Sequence, residues 1–260
     1  MLLIEYIAAM EIIDSHCHLD DPRFADDFEG VIERAMAVGV NCFIVPSVRA
    51  DGWERLAGLA AKYPSIRPAF GLHPWHCAGH GEDDLARLPA YLEHAVAIGE
   101  CGLDFGSGRA SEAGQLHWFR RQLALAAEAG LPLIIHAYKS LDTVLRELKA
   151  LPQLRGVIHG FNGSRQQAEQ IMARGFYLGI GSAVTRPQAG RLRQLVAWMP
   201  AEQLLLESDA PDQPGYYHRG ERNEPAFLID TVREVASLRA VDISELLAVA
   251  NTNAKELFHL

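Results

Sequence analysis

The sequence predicts a single (β/α)₈ barrel, and three observations carry that expectation. The chain has 260 residues and is 49% hydrophobic, enough to bury one large core and close to the typical length of such a barrel. Eight short apolar runs alternate with amphipathic stretches along its whole length. Most of the runs lack polar alternation until their last residues, as parallel strands buried on both faces do.

The runs, in order, are EIID (11–14), NCFIVPSV (41–48), RPAFGLHP (67–74), AVAIGECGLD (95–104), PLIIHA (132–137), GVIHGF (156–161), FYLGIG (176–181) and LLLESDAP (204–211). Between them, Phe28, Val31, Ile32 and Ala35 follow helical spacing, as do Leu116, Phe119, Leu123 and Ala126. Gly39, Gly130 and Gly175 stand where helices should end before the next strand. Asp242 or Ser244 is placed to cap a last helix ending near Phe258. The competing fold, an open doubly wound sheet, would show a glycine-rich phosphate turn after an early strand. No GxGxxG or P-loop string follows any run, and no linker divides the chain.

The net charge of −9 argues against a broad electrostatic grip on nucleic acid, although bound cations would alter that balance. Cys17, Cys42, Cys77 and Cys101 form no CxxC pair, which suits free thiols in a reducing cytoplasm. The opening MLLIEYIAAM is too short and too acidic for a membrane span or a signal peptide. Residues 1–9 read as an extension ahead of a barrel over 10–260, with no membrane and no obligate protein partner expected.

The polar residues are distributed unevenly. Asp14, His16 and His18 are spaced by two, so on a strand they share one face, with Cys17 pointing away. Two histidines at that spacing beside an acid suit a divalent ion, which neutral imidazoles bind well. Glu100, His136, His159 and Asp209 each stand at the carboxyl end of an apolar run, and in a barrel those ends meet around one opening. So many donors exceed one tetrahedral shell, so we expect two ions sharing a carboxylate. Glu100 is the best bridge and Asp209 the best proton acceptor.

His73 ends the third run and is a candidate for substrate or for the metal's surroundings. Lys139, Arg186 and Arg222 follow strands and are candidates for holding phosphate. Glu207 shares the parity of Asp209 and would support the ligands from behind. His76, His80, His94, His117, His218 and His259 read as solvated loop or helix residues.

Seven strings occur in a recognisable order: DSHCHLD (14–20), GLHP (71–74), GECGLDF (99–105), LPLIIHA (131–137), VIHGFNGS (157–164), LLLESDAPD (204–212) and RNEPA (222–226). With them the chain resembles the TatD-type metal-dependent deoxyribonucleases of the amidohydrolase superfamily, from about Ile12 to Phe258. The resemblance implies a (β/α)₈ fold and two divalent metals, with zinc, magnesium and manganese all open. It also implies hydrolysis of DNA phosphodiesters by a metal-activated hydroxide, typically from an end. One metal would take His16, His18, Glu100 and Asp209, and the other Glu100, His136 and His159. Many members follow the fifth-strand histidine with arginine, where this chain has Ala137, Tyr138 and Lys139. A hydrolase of a small amide, lactone or phosphoester is the first alternative, and a non-catalytic metal- or partner-binding barrel the second.

The extension makes one checkable prediction. Protein made from the native gene is expected to show the intact mass of a chain starting at Met10; a mass that includes residues 1–9 overturns it.

Overall fold

The computed structural model describes residues 10–260, so the expected extension over residues 1–9 lies outside the described residues. Eight strands lie in one parallel sheet in chain order. They are β1 (Ile12–Asp14), β2 (Val40–Pro46), β3 (Ile66–Phe70), β4 (Ala97–Asp104), β5 (Leu133–Tyr138), β6 (Gly156–Ile158), β7 (Phe176–Ile180) and β8 (Leu204–Leu206). The ring closes where the Ser15 amide donates to Leu206 O at 2.9 Å. Just beyond it, the Asp209 amide donates to His16 O at 2.9 Å and the His18 amide to Ala210 O at 2.7 Å. The same bonds that close the barrel therefore hold three candidate ligands side by side. Strand order and closure give the expected single (β/α)₈ barrel.

The helices are α1 (Phe28–Ala37), α2 (Trp53–Lys62), α3 (Glu82–Arg87), α4 (Glu112–Ala129), α5 (Leu141–Leu148), α6 (Arg165–Met172), α7 (Gly190–Trp198), α8 (Leu228–Arg239) and α9 (Ile243–Phe258). In α1 the expected face is buried through Val31, Ile32 and Ala35. Gly39, Gly130 and Gly175 have φ of 93°, 67° and 75°, so each ends its helix in a conformation that other residues rarely adopt. Asp242 occupies the cap position of α9, but its side chain makes no capping hydrogen bond.

Apolar side chains form two layers. The larger lies between sheet and helices. The smaller fills the barrel and contains Ile13, Ile44, Ala69, Ala97, Ile134, Val157 and Leu205. Ala254, Leu257 and Phe258 of α9 join this inner layer and plug the amino end of the barrel. Asn251 fastens the plug, accepting from the Ile13 amide at 3.2 Å and donating to Glu11 O at 2.7 Å. Asn253 does the same for β8 by donating to Leu204 O at 2.9 Å. With one end sealed, the opposite end is left for chemistry.

The strands are shorter than the apolar runs suggested. β1, β3, β6 and β8 stop before His16, His73, His159 and Asp209, which sit in the turns that follow. Glu100 and His136 alone among the candidate ligands lie within strands. The β4–β5 register shifts between Ile98 and Cys101, so Glu100 leaves the strand at an irregular step that re-aims its side chain.

Removing the plug's largest member tests its role. Phe258→Ala is expected to lose about 3–5 kcal/mol in chemical unfolding; a loss below about 1 kcal/mol would mean the barrel's end closes without it.

Candidate metal centre

Glu100 is 2% exposed and stands at the middle of the polar end of the barrel. Its two oxygens face two different groups. Oε2 lies 3.4 Å from His16 Nε2 and 3.5 Å from His18 Nε2. Asp209 Oδ1 is 3.6 Å from each of those nitrogens, which are 3.2 Å apart. Four ligands about 2.1 Å from a tetrahedral ion stand about 3.4 Å from one another, close to these five distances. The other oxygen, Oε1, faces His159 Nε2 at 2.8 Å, His136 Nδ1 at 3.1 Å and His73 Nε2 at 3.1 Å. His136 Nδ1 and His159 Nε2 are 3.2 Å apart.

The outer nitrogens decide what the inner ones present. His18 Nδ1 donates to Pro46 O at 3.1 Å and His136 Nε2 donates to Asp104 Oδ2 at 3.1 Å. Both partners only accept, so in a neutral ring the inner nitrogens of His18 and His136 offer lone pairs. His159 Nδ1 faces Glu207 Oε1 at 3.7 Å, beyond hydrogen-bond distance, and the carboxylate favours a proton on that nitrogen. Lone pairs and carboxylate oxygens thus point at one another within buried surroundings, an arrangement that demands positive charge between them. Imidazole nitrogens with carboxylate oxygens are the donor set a divalent metal of the zinc type takes, and the residues fit one.

Electrostatics state the same demand. Burial would raise the Glu100 carboxyl, yet His159, His73 and His16 hold it well below the usual range. Asp209 is likewise held low against burial, by His18, His159 and His16. Burial disfavours charge on His18, but Asp209 and Glu100 override it and push the ring up to about 9. His159 is pushed well above its ordinary value against burial, chiefly by Glu100. His16 goes the other way, lowered by burial and by His159.

His73 falls in the surroundings of the centre, whereas Arg222 and Asp14 depart from expectation. The His73 ring accepts the Trp75 amide at Nδ1, 3.1 Å away, so its Nε2 carries the proton and faces Glu100 Oε1 at 3.1 Å. Burial lowers it to about 4. His73 therefore stands against the Glu100 carboxylate and offers no lone pair to an ion. Arg222 does not reach the site, since its guanidinium is occupied by Asp27, Glu224 and Arg23 O and lies over the Phe24 ring. Asp14 does not share a face with the two histidines. It is fully buried and accepts from the Ser208 amide at 2.9 Å, Ser208 Oγ at 2.5 Å and the His16 amide at 3.2 Å. Burial raises it to about 7, and it staples the end of β1 to the turn after β8.

Lys139 is exposed after β5, with Nζ 5.4 Å from the centre of the Tyr138 ring. Arg186 donates to Pro214 O at 3.2 Å. Cys17 is buried with its sulfur toward Ile44 O, away from the cluster. Two histidines expected in solvent are engaged: His80 Nε2 lies 3.1 Å from His73 O, and His218 stacks on Phe227 with centroids 3.5 Å apart.

Sequence reasoning assigned no role to Asp104, which orients His136 and also accepts from Trp75 Nε1 at 2.5 Å and the Gly106 amide at 2.7 Å. Its signal was available, because it ends the same run as Glu100. Two buried glutamines on the inward face of α4 were also missed. Gln122 pairs with both backbone groups of Leu72, at 2.7 and 3.1 Å, and Gln115 with both of Asp104, at 2.7 Å each. They hold the chain just before His73 and at Asp104, and their seven-residue spacing on an apolar face was the visible clue.

A closed (β/α)₈ barrel with this cluster at its carboxyl end is the architecture of a metal-dependent hydrolase. The chain belongs to the family described as TatD related DNase, which it matches over residues 13–259. It is 37% identical over 256 residues to the metal-dependent hydrolase YjjV of Escherichia coli, covering 95% of this chain and 98% of that one. It is 36% identical over 259 residues to the 3′-5′ ssDNA/RNA exonuclease TatD of Erwinia tasmaniensis, covering 96% and 100%. The crystal structure of YjjV superposes with a TM-score of 0.89 at 35% identity, over 96% of this chain and 98% of that one.

Asp104 gives a test separate from catalysis. Asp104→Ala is expected to weaken metal affinity about ten- to a hundredfold, measured by competition with a chromogenic chelator; unchanged affinity would show that His136 needs no such partner.

Proposed function

We propose that the two groups around Glu100 hold a pair of divalent ions, zinc, magnesium or manganese, and that the protein trims single-stranded DNA from an end. The observation that carries this reading is the division of the Glu100 carboxylate, Oε2 toward His16 and His18 and Oε1 toward His136 and His159. On this reading His16, His18, Glu100 and Asp209 hold one ion, and Glu100, His136 and His159 the other. Bound ions would polarise a phosphoryl oxygen and make water acidic enough to attack at neutral pH. The names of the relatives favour nucleic acid as substrate, since several at 34–36% identity are 3′-5′ ssDNA/RNA exonucleases.

The chain's own residues then have distinct tasks. Asp209 is ionised at neutral pH, and Gln213 Nε2 holds its Oδ2 at 2.6 Å. It takes the proton released as water attacks phosphorus in line. His73 keeps Glu100 in place, with its protonated Nε2 3.1 Å from Oε1. Lys139, which donates no hydrogen bond among the described residues, stands at the mouth as the cation for a substrate phosphate. A reducing cytoplasm suits the four free cysteines. No helix among the described residues is long and apolar enough to cross a membrane.

The metal-loaded protein is expected to release nucleotides from a single-stranded oligodeoxynucleotide, with two ions per chain by elemental analysis, and chelation should abolish release. Inactivity with zinc, manganese and magnesium alike, beside turnover of a lactone or amide, would replace the nuclease with a small-molecule hydrolase. Asp209→Asn should keep most of the metal and lose about 10²–10⁴-fold in kcat; full activity in that variant would remove its role as base.

A further inference from the structure

Three aromatic side chains with large exposed surface stand in segments at or after strand ends at the mouth, and each has a cation against its ring. Arg109 Cζ lies 3.9 Å from the centre of the Trp75 ring, Lys139 Nζ 5.4 Å from Tyr138, and Arg219 Cζ 4.6 Å from Tyr216. These cations donate no hydrogen bond to protein among the described residues, whereas Arg23, Arg34 and Arg222 are bound to carboxylates. Cations that donate no hydrogen bond to protein, set beside exposed flat rings, form a surface suited to a polyanion with aromatic bases.

Trp75 is the best built of the three. It is 48% exposed, although burial would suit so large an apolar surface. Its Nε1 is fixed by Asp104 at 2.5 Å, so the ring does not turn freely. It lies edge-on to two members of the centre, with ring centroids 5.2 Å from His73 and 6.0 Å from His136. Arg109 stays over it because Asp104 Oδ1 lies 3.6 Å from Arg109 Nε. The same Asp104 oxygen accepts from the Gly106 amide. A side chain at Gly106 would meet the Tyr138 ring at 3.4 Å, so Tyr138, itself 51% exposed, borders the same patch.

We propose that the Trp75–Arg109 stack is a nucleotide subsite beside the metal centre, where a base of single-stranded nucleic acid stacks on the indole–guanidinium pair and its phosphate meets Arg109. The proposal rests on the nuclease reading above and adds to it the group that recognises the strand. Stacking on an aromatic face reads no particular base, because every base has such a face, so the subsite confers preference for unpaired strands without sequence preference. A duplex end would have to unstack before entering it. Asp104 ties the subsite to the chemistry, since one carboxylate orients both the ring and His136.

The test separates stacking from the hydrogen bond to Asp104. Trp75→Phe and Trp75→Leu both lose the indole N–H and differ in the aromatic face. With a single-stranded oligodeoxynucleotide and the metal-loaded enzyme, the Leu variant is expected to show a KM about ten- to a hundredfold above that of the Phe variant, with similar kcat. The gap should close on an oligonucleotide lacking its two 3′-terminal bases. Equal KM for the two variants, in an enzyme whose wild type degrades the intact strand, overturns the subsite and leaves the nuclease reading standing. A wild type that leaves every oligonucleotide intact while hydrolysing other esters overturns both.

Discussion

A carboxylate with 2% of its surface exposed, turned toward five imidazoles, four of them candidate ligands, is the constraint around which this molecule is arranged. Glu100 cannot be ionised in such surroundings without cations, and the rings around it cannot all point lone pairs inward without one either. The strands approach closely to seat it. A Cβ at Gly71 would come within 2.7 Å of the Gly99 backbone, and one at Gly99 within 2.7 Å of Ile134 Cβ, so only glycine fits on either side of the irregular step in β4. Outside this ring comes another, of Pro46 O, Asp104 and Glu207, which settles how His18, His136 and His159 face inward.

The barrel separates stability from chemistry along its axis. At the amino end, Ile13, Ile134 and Leu205 pack on Phe258 with no carboxylate among them. At the carboxyl end, Asp14, His16, Glu100, Asp104, Glu207 and Asp209 are all buried, a costly concentration that is matched in large part, with His16 Nδ1 and Glu207 Oε2 left without a hydrogen-bond partner among the described residues. The matching is done from the scaffold. Gln115 and Gln122 of α4 substitute for strand pairing at Asp104 and Leu72, and Asp14 with Ser208 sews the closing seam. The helix layer is thus more than packing, because one helix fixes the positions from which Asp104 and His73 act.

Much of this was legible in the sequence, for a physical reason. Parallel strands buried on both faces have to be apolar, so a histidine or acid ending such a run is conspicuous, and Glu100 and His136 were found that way. His16 and His18 converge as expected, but the reason differs: β1 has already ended at Asp14, and their convergence is set by hydrogen bonds to the turn after β8. Strand parity misplaced Asp14 for the same reason. The role of Arg222 was misread because sequence shows a cation but not its partners; Asp27 is distant in the chain and near in space. His73 was found by position, yet its part depends on which ring nitrogen accepts the Trp75 amide, a detail only coordinates carry.

The net charge of −9 argues against a broad grip on nucleic acid, and the proposed subsite is how such a chain would still meet a polyanion. A broad basic face binds by releasing counterions over many phosphates. Here most arginines are neutralised by neighbouring acids, as Arg23, Arg34 and Arg120 are, so the surface offers little such attraction. At the mouth, Lys139 has no acidic partner among the described residues and Arg109 stands beside Asp104, and each lies against an exposed ring. Attraction of that kind acts over one or two nucleotides. It would suit the proposed trimming of a strand from its end, where only the terminal phosphates need be held beside the Glu100 centre.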